Sequence, residues 1–337
     1  MKDADVAVYE TALSDAIRDA VRVQEDAGFE PITDGEFGRS SWFGFFFERM
    51  DGFRLAPATF RFRDAEGERF EWPTCFVCER MRRRAPIALD EFRRLAGLTR
   101  RTPKMTLPTP SAFHFFRFQA AFDRAVYADE DAYWNDLVEV YRTEIAALGA
   151  AGCRYLQLDE VPLAMLCDPQ IREQVAGLGG DPQALVGRCL GVLQRILAGR
   201  PAAMTVGLHL CRGNFRGRWM ASGGYEPVAE RLFNEAPVDA FFLEYDSERA
   251  GDFAPLRHVP EGRHVVLGLV STKTPALESG EALRRRIDEA ARHVPMERLA
   301  LSPQCGFASV AGGNAVSEAD QAAKLRIVVD VARHAWG

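Results

Sequence analysis

Met204-Thr205-Val206-Gly207-Leu208-His209-Leu210-Cys211 is the stretch whose reading decides the fold. An apolar run of strand length ends in an imidazole and a thiol, and two-residue alternation points both the same way. Two later runs end similarly. Ala240-Phe241-Phe242-Leu243 leads into Glu244, and Leu299-Ala300-Leu301 leads through Ser302-Pro303-Gln304 into Cys305. Short apolar runs separated by helix-like segments predict buried parallel strands.

Working outward, strands are expected at 31–33, 104–107, 154–158, 204–208, 240–243, 264–269 and 298–301. Helices are expected at 7–27, 87–98, 132–151, 182–197, 223–234, 280–294 and 317–335. This alternation predicts an α/β fold with a parallel sheet, a (β/α)8 TIM barrel. An eight-stranded barrel needs one strand more than these seven. The chain opens in a helix, so the barrel is expected to lack or alter its first strand. An absent upstream segment, a strand hidden from the pattern, or a different closure would each account for that. Between 53 and 78, apolar and charged residues alternate around Ala65-Glu66-Gly67, which predicts a β-hairpin excursion. No linker or repeat interrupts the chain, so one barrel domain is expected over 1–337.

Composition narrows the function classes. The 337 residues are 47% hydrophobic and carry a net charge of −6. That balance gives no reason to expect nucleic acid. The basic cluster from Arg80 to Arg84 reads as a solvated helix face or loop. No apolar run is long enough to cross a membrane, and the first residues lack the apolar core of a signal peptide. Seven cysteines without such a signal fit a reducing cytoplasm, where thiols stay free for metal or catalysis. A homo-oligomer is left open.

Polar residues at the C-terminal ends of barrel strands are where such folds keep their chemistry. His209, Cys211, Glu244 and Cys305 all stand there, and an imidazole, two thiols and a carboxylate make a tetrahedral Zn2+ set. With four protein ligands, a reaction at the metal needs a ligand to move or a thiol to add. Zinc holds a thiol as the nucleophilic thiolate. The plainer alternative is a core histidine, two buried thiols and a rim carboxylate. Asp159-Glu160 ends another strand and offers acids for an ammonium group, or else marks a helix N-terminus. Asp34-Gly35-Glu36 presents a carboxylate from a loop, or is only a turn. Trp42-Phe43-Gly44-Phe45-Phe46-Phe47 walls a pocket or packs a core. Ser271-Thr272-Lys273-Thr274 lines the same rim, with Ser271 a candidate substrate contact. Cys75-x-x-Cys78 has no second pair to complete a metal site. No Gly-x-Gly-x-x-Gly follows a strand, so a dinucleotide has no support.

In Ile32-Thr33-Asp34-Gly35-Glu36-Phe37, Gln157-Leu158-Asp159-Glu160, His209-Leu210-Cys211, Leu243-Glu244 and Ser302-Pro303-Gln304-Cys305-Gly306, the chain resembles the catalytic domain of cobalamin-independent methionine synthase in its short, stand-alone form. The resemblance runs from about Val21 to Val329. It implies a zinc-bearing (β/α)8 barrel that activates the thiol of homocysteine. It implies zinc ligation by His209, Cys211, Glu244 and Cys305, and a substrate amino group held by Glu36 and Asp159. The chain departs from the family in three places. The opening strand with its Gly-Ser turn has no counterpart, Val270 stands where a histidine is expected, and no tryptophan stands near Thr109-Pro110-Ser111. The zinc–thiol half of the site is thus present, and the folate half is altered.

The activity this implies is zinc-dependent methyl transfer to a small thiol, giving methionine from homocysteine by way of a zinc-bound thiolate. The donor is a folate, a methylated corrinoid on a partner protein, or a sulfonium or thioether compound. His114 is a candidate general acid for the leaving group, with a structural role as the alternative. A second reading is alkyl transfer or lyase chemistry with a thiol such as coenzyme M, for which Arg212, Arg216 and Arg218 would supply cations. A third is a non-catalytic zinc-holding subunit.

Overall fold

The computed structural model describes residues 3–63, 67–308, 310 and 312–337. The helix Asp3–Ala27 ends at Gly28, whose φ of 98° is open to glycine, and the chain enters β1 (Pro31–Ile32). The excursion follows as β2 (Met50–Pro57), β3 (Phe62–Arg63), β4 (Arg69–Phe70) and β5 (Pro73–Arg83). β2 pairs antiparallel with β5, and β3 with β4. The expected hairpin is therefore present and longer than 53–78; Ala65 and Glu66 of its predicted turn lie outside the described residues. Six strands complete the parallel sheet: β6 (Thr102–Pro108), β7 (Tyr155–Asp159), β8 (Thr205–Leu210), β9 (Ala240–Glu244), β10 (His264–Val270) and β11 (Leu299–Pro303).

The order in that sheet is β1-β6-β7-β8-β9-β10-β11, the order of the chain, and every pairing is parallel. All seven expected strands and all seven expected helices form, and the fold is of the TIM-barrel type. Among the described residues the sheet has no eighth strand. The helices Asp3–Ala27 and Glu318–Trp336 pack together. The loops after β1 and β11 meet at an antiparallel bridge between Ser41 and Val310.

The sheet has two unlike faces. Leu156, Leu158, Val206, Leu208, Phe241, Leu243, Val265 and Leu267 belong to one continuous apolar core with residues of the surrounding helices. The alternate positions include a small separate cluster of Ala240, Phe242 and Val266, packed with Tyr155 and Ala300. The Phe242 ring dictates Gly207: a Cβ there would lie 2.4 Å from the ring. Gly268 is required for a similar reason, because a Cβ would lie 2.8 Å from the Leu243 carbonyl oxygen.

The basic cluster is not a helix face or loop. Arg80 to Arg83 end β5, paired with β2. Arg83 donates to Glu144 Oε2 at 2.6 and 3.1 Å, and the Ile87 and Ala88 amides donate to Glu144 Oε1 at 3.0 and 2.7 Å. Glu144 is fully buried on the helix Glu130–Ala150, so this pair fastens the excursion to the barrel wall. The aromatic stretch forms the short helix Gly44–Glu48 with Phe43, Phe45 and Phe46 in the core. Among the described residues, no helix is long and apolar enough to cross a membrane.

Gly207→Ala is expected to cost about 1–3 kcal/mol by overpacking against Phe242. Urea unfolding measures it, and adding Phe242→Leu restores part of the loss.

Candidate metal centre

Strand register builds the site. β7 and β8 pair so that Asp159 stands beside His209. Cys211 follows one residue after β8 ends, and Cys305 two residues after β11. One ligating atom each from His209, Cys211 and Cys305 lies within 4.8 Å of the others. His209 and Cys211 are buried and Cys305 half-buried. The neighbouring Cys305 sulfur, and then burial, push the Cys211 thiol well above its ordinary value. Burial pushes the His209 imidazole down, while Cys211 and Asp159 raise it further. Two adjoining thiols, one of them buried, can both become thiolates only if positive charge is supplied between them, and a divalent zinc ion fits that donor set.

Glu244 is not in that group. Its carboxylate is fully buried at the end of β9. Oε2 accepts the Arg212 amide at 2.5 Å, and Oε1 accepts from Arg249 Nη2 at 2.8 Å and Lys273 Nζ at 3.4 Å. Burial pushes its pKa up, but Lys273, Arg212 and Arg249 outweigh that and bring it to about 2. A carboxylate so held would need to turn to reach a metal between the thiols.

The adjacent acids Asp159 and Glu160 part company. Asp159 is raised to about 6 by burial, against the pull of His209. Glu160 caps the helix Val161–Met165 through the Leu163 amide at 3.3 Å and accepts the Ser111 hydroxyl at 2.6 Å. Glu36 sits at φ 58° in the turn where Asp34 accepts its amide. The Thr106 hydroxyl donates to Glu36 at 2.5 Å, and Arg39 lies 3.1 Å away. Arg39 also pairs with Glu91 at 2.8 Å.

Ser271 follows β10, where its amide donates to Glu278 at 2.8 Å. It lines a cleft of about 350 Å³ together with Trp219, Asp246, Arg249 and Lys273. His114 lies elsewhere, buried against Trp134, Tyr133 and Phe118. Neither ring nitrogen has a hydrogen-bond partner among the described residues. Burial lowers its pKa to about 4, against the pull of Glu130, whose carboxylate lies 3.6 Å from Nε2. The structural role suits it. Cys75 and Cys78 donate to separate backbone carbonyls, of Phe113 and Gly52. Arg212, a candidate for a sulfonate, is fully buried and committed to Gly223, Tyr225 and Glu244 oxygens. Arg216 and Arg218 line a different cleft with residues 312–315. Arg39, Thr106 and Arg249 were not singled out by the sequence alone; Arg39 and Thr106 lie within two or three residues of motifs that were, and Lys273 belongs to the rim segment 271–274 read from the sequence.

A family model described as the catalytic domain of cobalamin-independent synthase matches residues 1–334. The uncharacterized protein YxjH of Bacillus subtilis is 41% identical over 323 residues, 94% of this chain and 83% of the relative. A methionine synthase of Pyrococcus furiosus is 25% identical over 305 residues, 89% of this chain and 77% of the relative. Among solved structures, a candidate vitamin-B12-independent methionine synthase from Listeria monocytogenes aligns with a TM-score of 0.73 at 29% identity. That alignment covers 97% of this chain and 88% of the other.

Competition with a chromophoric chelator is expected to find one zinc per chain. Cys211→Ser and Cys305→Ser each weaken its binding by about tenfold or more, at least ~1.4 kcal/mol. Cys75→Ser leaves it unchanged.

Proposed function

The chain belongs to the cobalamin-independent synthase catalytic-domain family, and on that premise we propose that it transfers a methyl group to the sulfur of homocysteine, giving methionine. The observation that carries this reading is the meeting of His209, Cys211 and Cys305 at strand ends, with Asp159 beside His209. The Pyrococcus relative's name, methionine synthase, supports the same product. His209, Cys211 and Cys305 would hold zinc, and Glu244 would complete the set if its carboxylate turned. Zinc, when bound, supplies the positive charge that lets a thiol lose its proton near neutral pH.

The chain's own residues do the rest. Glu36 and Asp159 take the substrate ammonium, and Thr106 and Arg39 hold Glu36 in place for it. Fixing the amino group fixes the direction of the sulfur, and orientation of this kind can lower a barrier by several kcal/mol, about 7–11 in ideal cases. The sulfur then attacks the donor's methyl carbon. An S–C bond forms, the bond from that carbon to the donor breaks, and the donor keeps the electron pair. Burial of His209, Cys211 and Asp159 keeps bulk water from the nucleophile. The free thiols this chemistry needs fit a reducing cytoplasm. The whole chain, 1–337, acts as one zinc-dependent domain.

Purified, zinc-loaded protein is expected to form methionine from homocysteine when offered a methylated folate, a methylated corrinoid protein or a methyl sulfonium. No methionine from any donor overturns the reading. Asp159→Asn is expected to lower kcat/KM for homocysteine by about 100-fold, from loss of a charged hydrogen bond worth ~1.5–3 kcal/mol. Zinc content stays unchanged in that variant.

A further inference from the structure

The cations around the barrel mouth are mostly bonded to acids or carbonyls. Arg39 is held by Glu36 and Glu91, Arg249 and Lys273 by Glu244, and Arg212 by backbone oxygens. Lys104 is different. It stands on β6 opposite Tyr155, two positions before Thr106, on the same strand face as that Glu36 ligand. Its ammonium lies 4.4 Å over the Phe242 ring and 5.4 Å over the Tyr155 ring. Among the described residues, no carboxylate lies within ion-pair distance of it.

An ammonium drawn away from water usually has an ion partner, because ring faces return only about 0.5–2 kcal/mol. Burial lowers the Lys104 pKa to about 8, while Asp159 and Glu36 pull it the other way. It is therefore charged at neutral pH and within the electrostatic reach of both acids. Those acids create a difficulty for an amino-acid substrate. Its carboxylate is one carbon away from its ammonium, so an ammonium bound by Glu36 and Asp159 brings a third negative charge beside them. A cation without its own ion pair is what such a site needs.

We propose that Lys104 receives the α-carboxylate of the amino-acid thiol while Glu36 and Asp159 take its ammonium. The assignment rests on the homocysteine reading above. It makes Lys104 the residue that distinguishes an amino-acid thiol from an aminothiol.

The test is calorimetric binding of homocysteine and of 3-aminopropane-1-thiol, which lacks only the carboxylate, to the zinc-loaded protein. Wild type is expected to prefer homocysteine roughly 10–100-fold, the range for a charged hydrogen bond. Lys104→Met is expected to lose that preference with zinc content unchanged, and Lys104→Arg to keep most of it. Wild type that binds both thiols equally overturns the role of Lys104 and leaves the homocysteine reading standing, and this arm needs no variant to fold. Lys104→Met that retains the wild-type preference overturns it too. Wild type that binds neither thiol overturns the homocysteine reading and this assignment together.

Discussion

A carboxylate sealed from water has to be met by positive charge, and Glu244 imposes that condition on the barrel mouth. Leaving such a group without its partners costs about 3–5 kcal/mol. Arg249 comes from the loop after β9, Lys273 from the loop after β10, and the Arg212 amide from the turn after β8. Arg212 then closes a second ring of contacts. Its guanidinium donates to the Gly223 carbonyl at 2.6 and 2.9 Å and to the Tyr225 hydroxyl at 3.1 Å. Tyr225 donates to the Leu210 carbonyl and accepts the Glu244 amide, both at 2.9 Å. Cys211 is covalently next to Arg212, so the position of one thiol follows from the charge balance of Glu244.

The parallel strands were legible because both their faces are covered by the rest of the fold. A strand covered on two sides cannot alternate, and runs such as Ala240 to Leu243 have no other reading between helix-like segments. The excursion was legible for the opposite reason, since one of its faces meets water. That same property hid the end of β5. Arg80 to Arg84 looks like solvated charge in a window of five residues, yet Arg83 finds Glu144 across 61 residues of sequence. No local pattern announces a partner at that distance.

The site divides along the same line. Strand-end position and residue type pointed to His209, Cys211, Cys305 and Asp159, and the structure sets them near one another because alternation and sheet topology bring strand ends together without regard to detail. Glu244 satisfies the same two criteria and is held by cations from other loops, which composition does not assign to it. Asp159 and Glu160 were a matched pair in sequence. Period-two alternation separates them: one side chain turns toward His209 and the other caps the next helix. His114 was drawn in by residue type and its place after Ser111-Ala112-Phe113; Trp134, Tyr133 and Phe118 surround it, with the Glu130 carboxylate 3.6 Å from Nε2.

Two groups of charge therefore share one end of the sheet, with different occupancies. Around Glu244, acids and cations are mutually bonded, so the group holds its shape with no ligand present. Asp159 and Glu36 are close enough to Lys104 to raise its proton affinity, but among the described residues no carboxylate pairs with the lysine, whose ammonium lies over the Tyr155 and Phe242 rings. An unbalanced cluster, with acids and an ammonium kept apart, is stabilised by a molecule that carries both charges and separates them by a single carbon. Preorganisation of this kind costs folding stability in the free protein and returns it on binding.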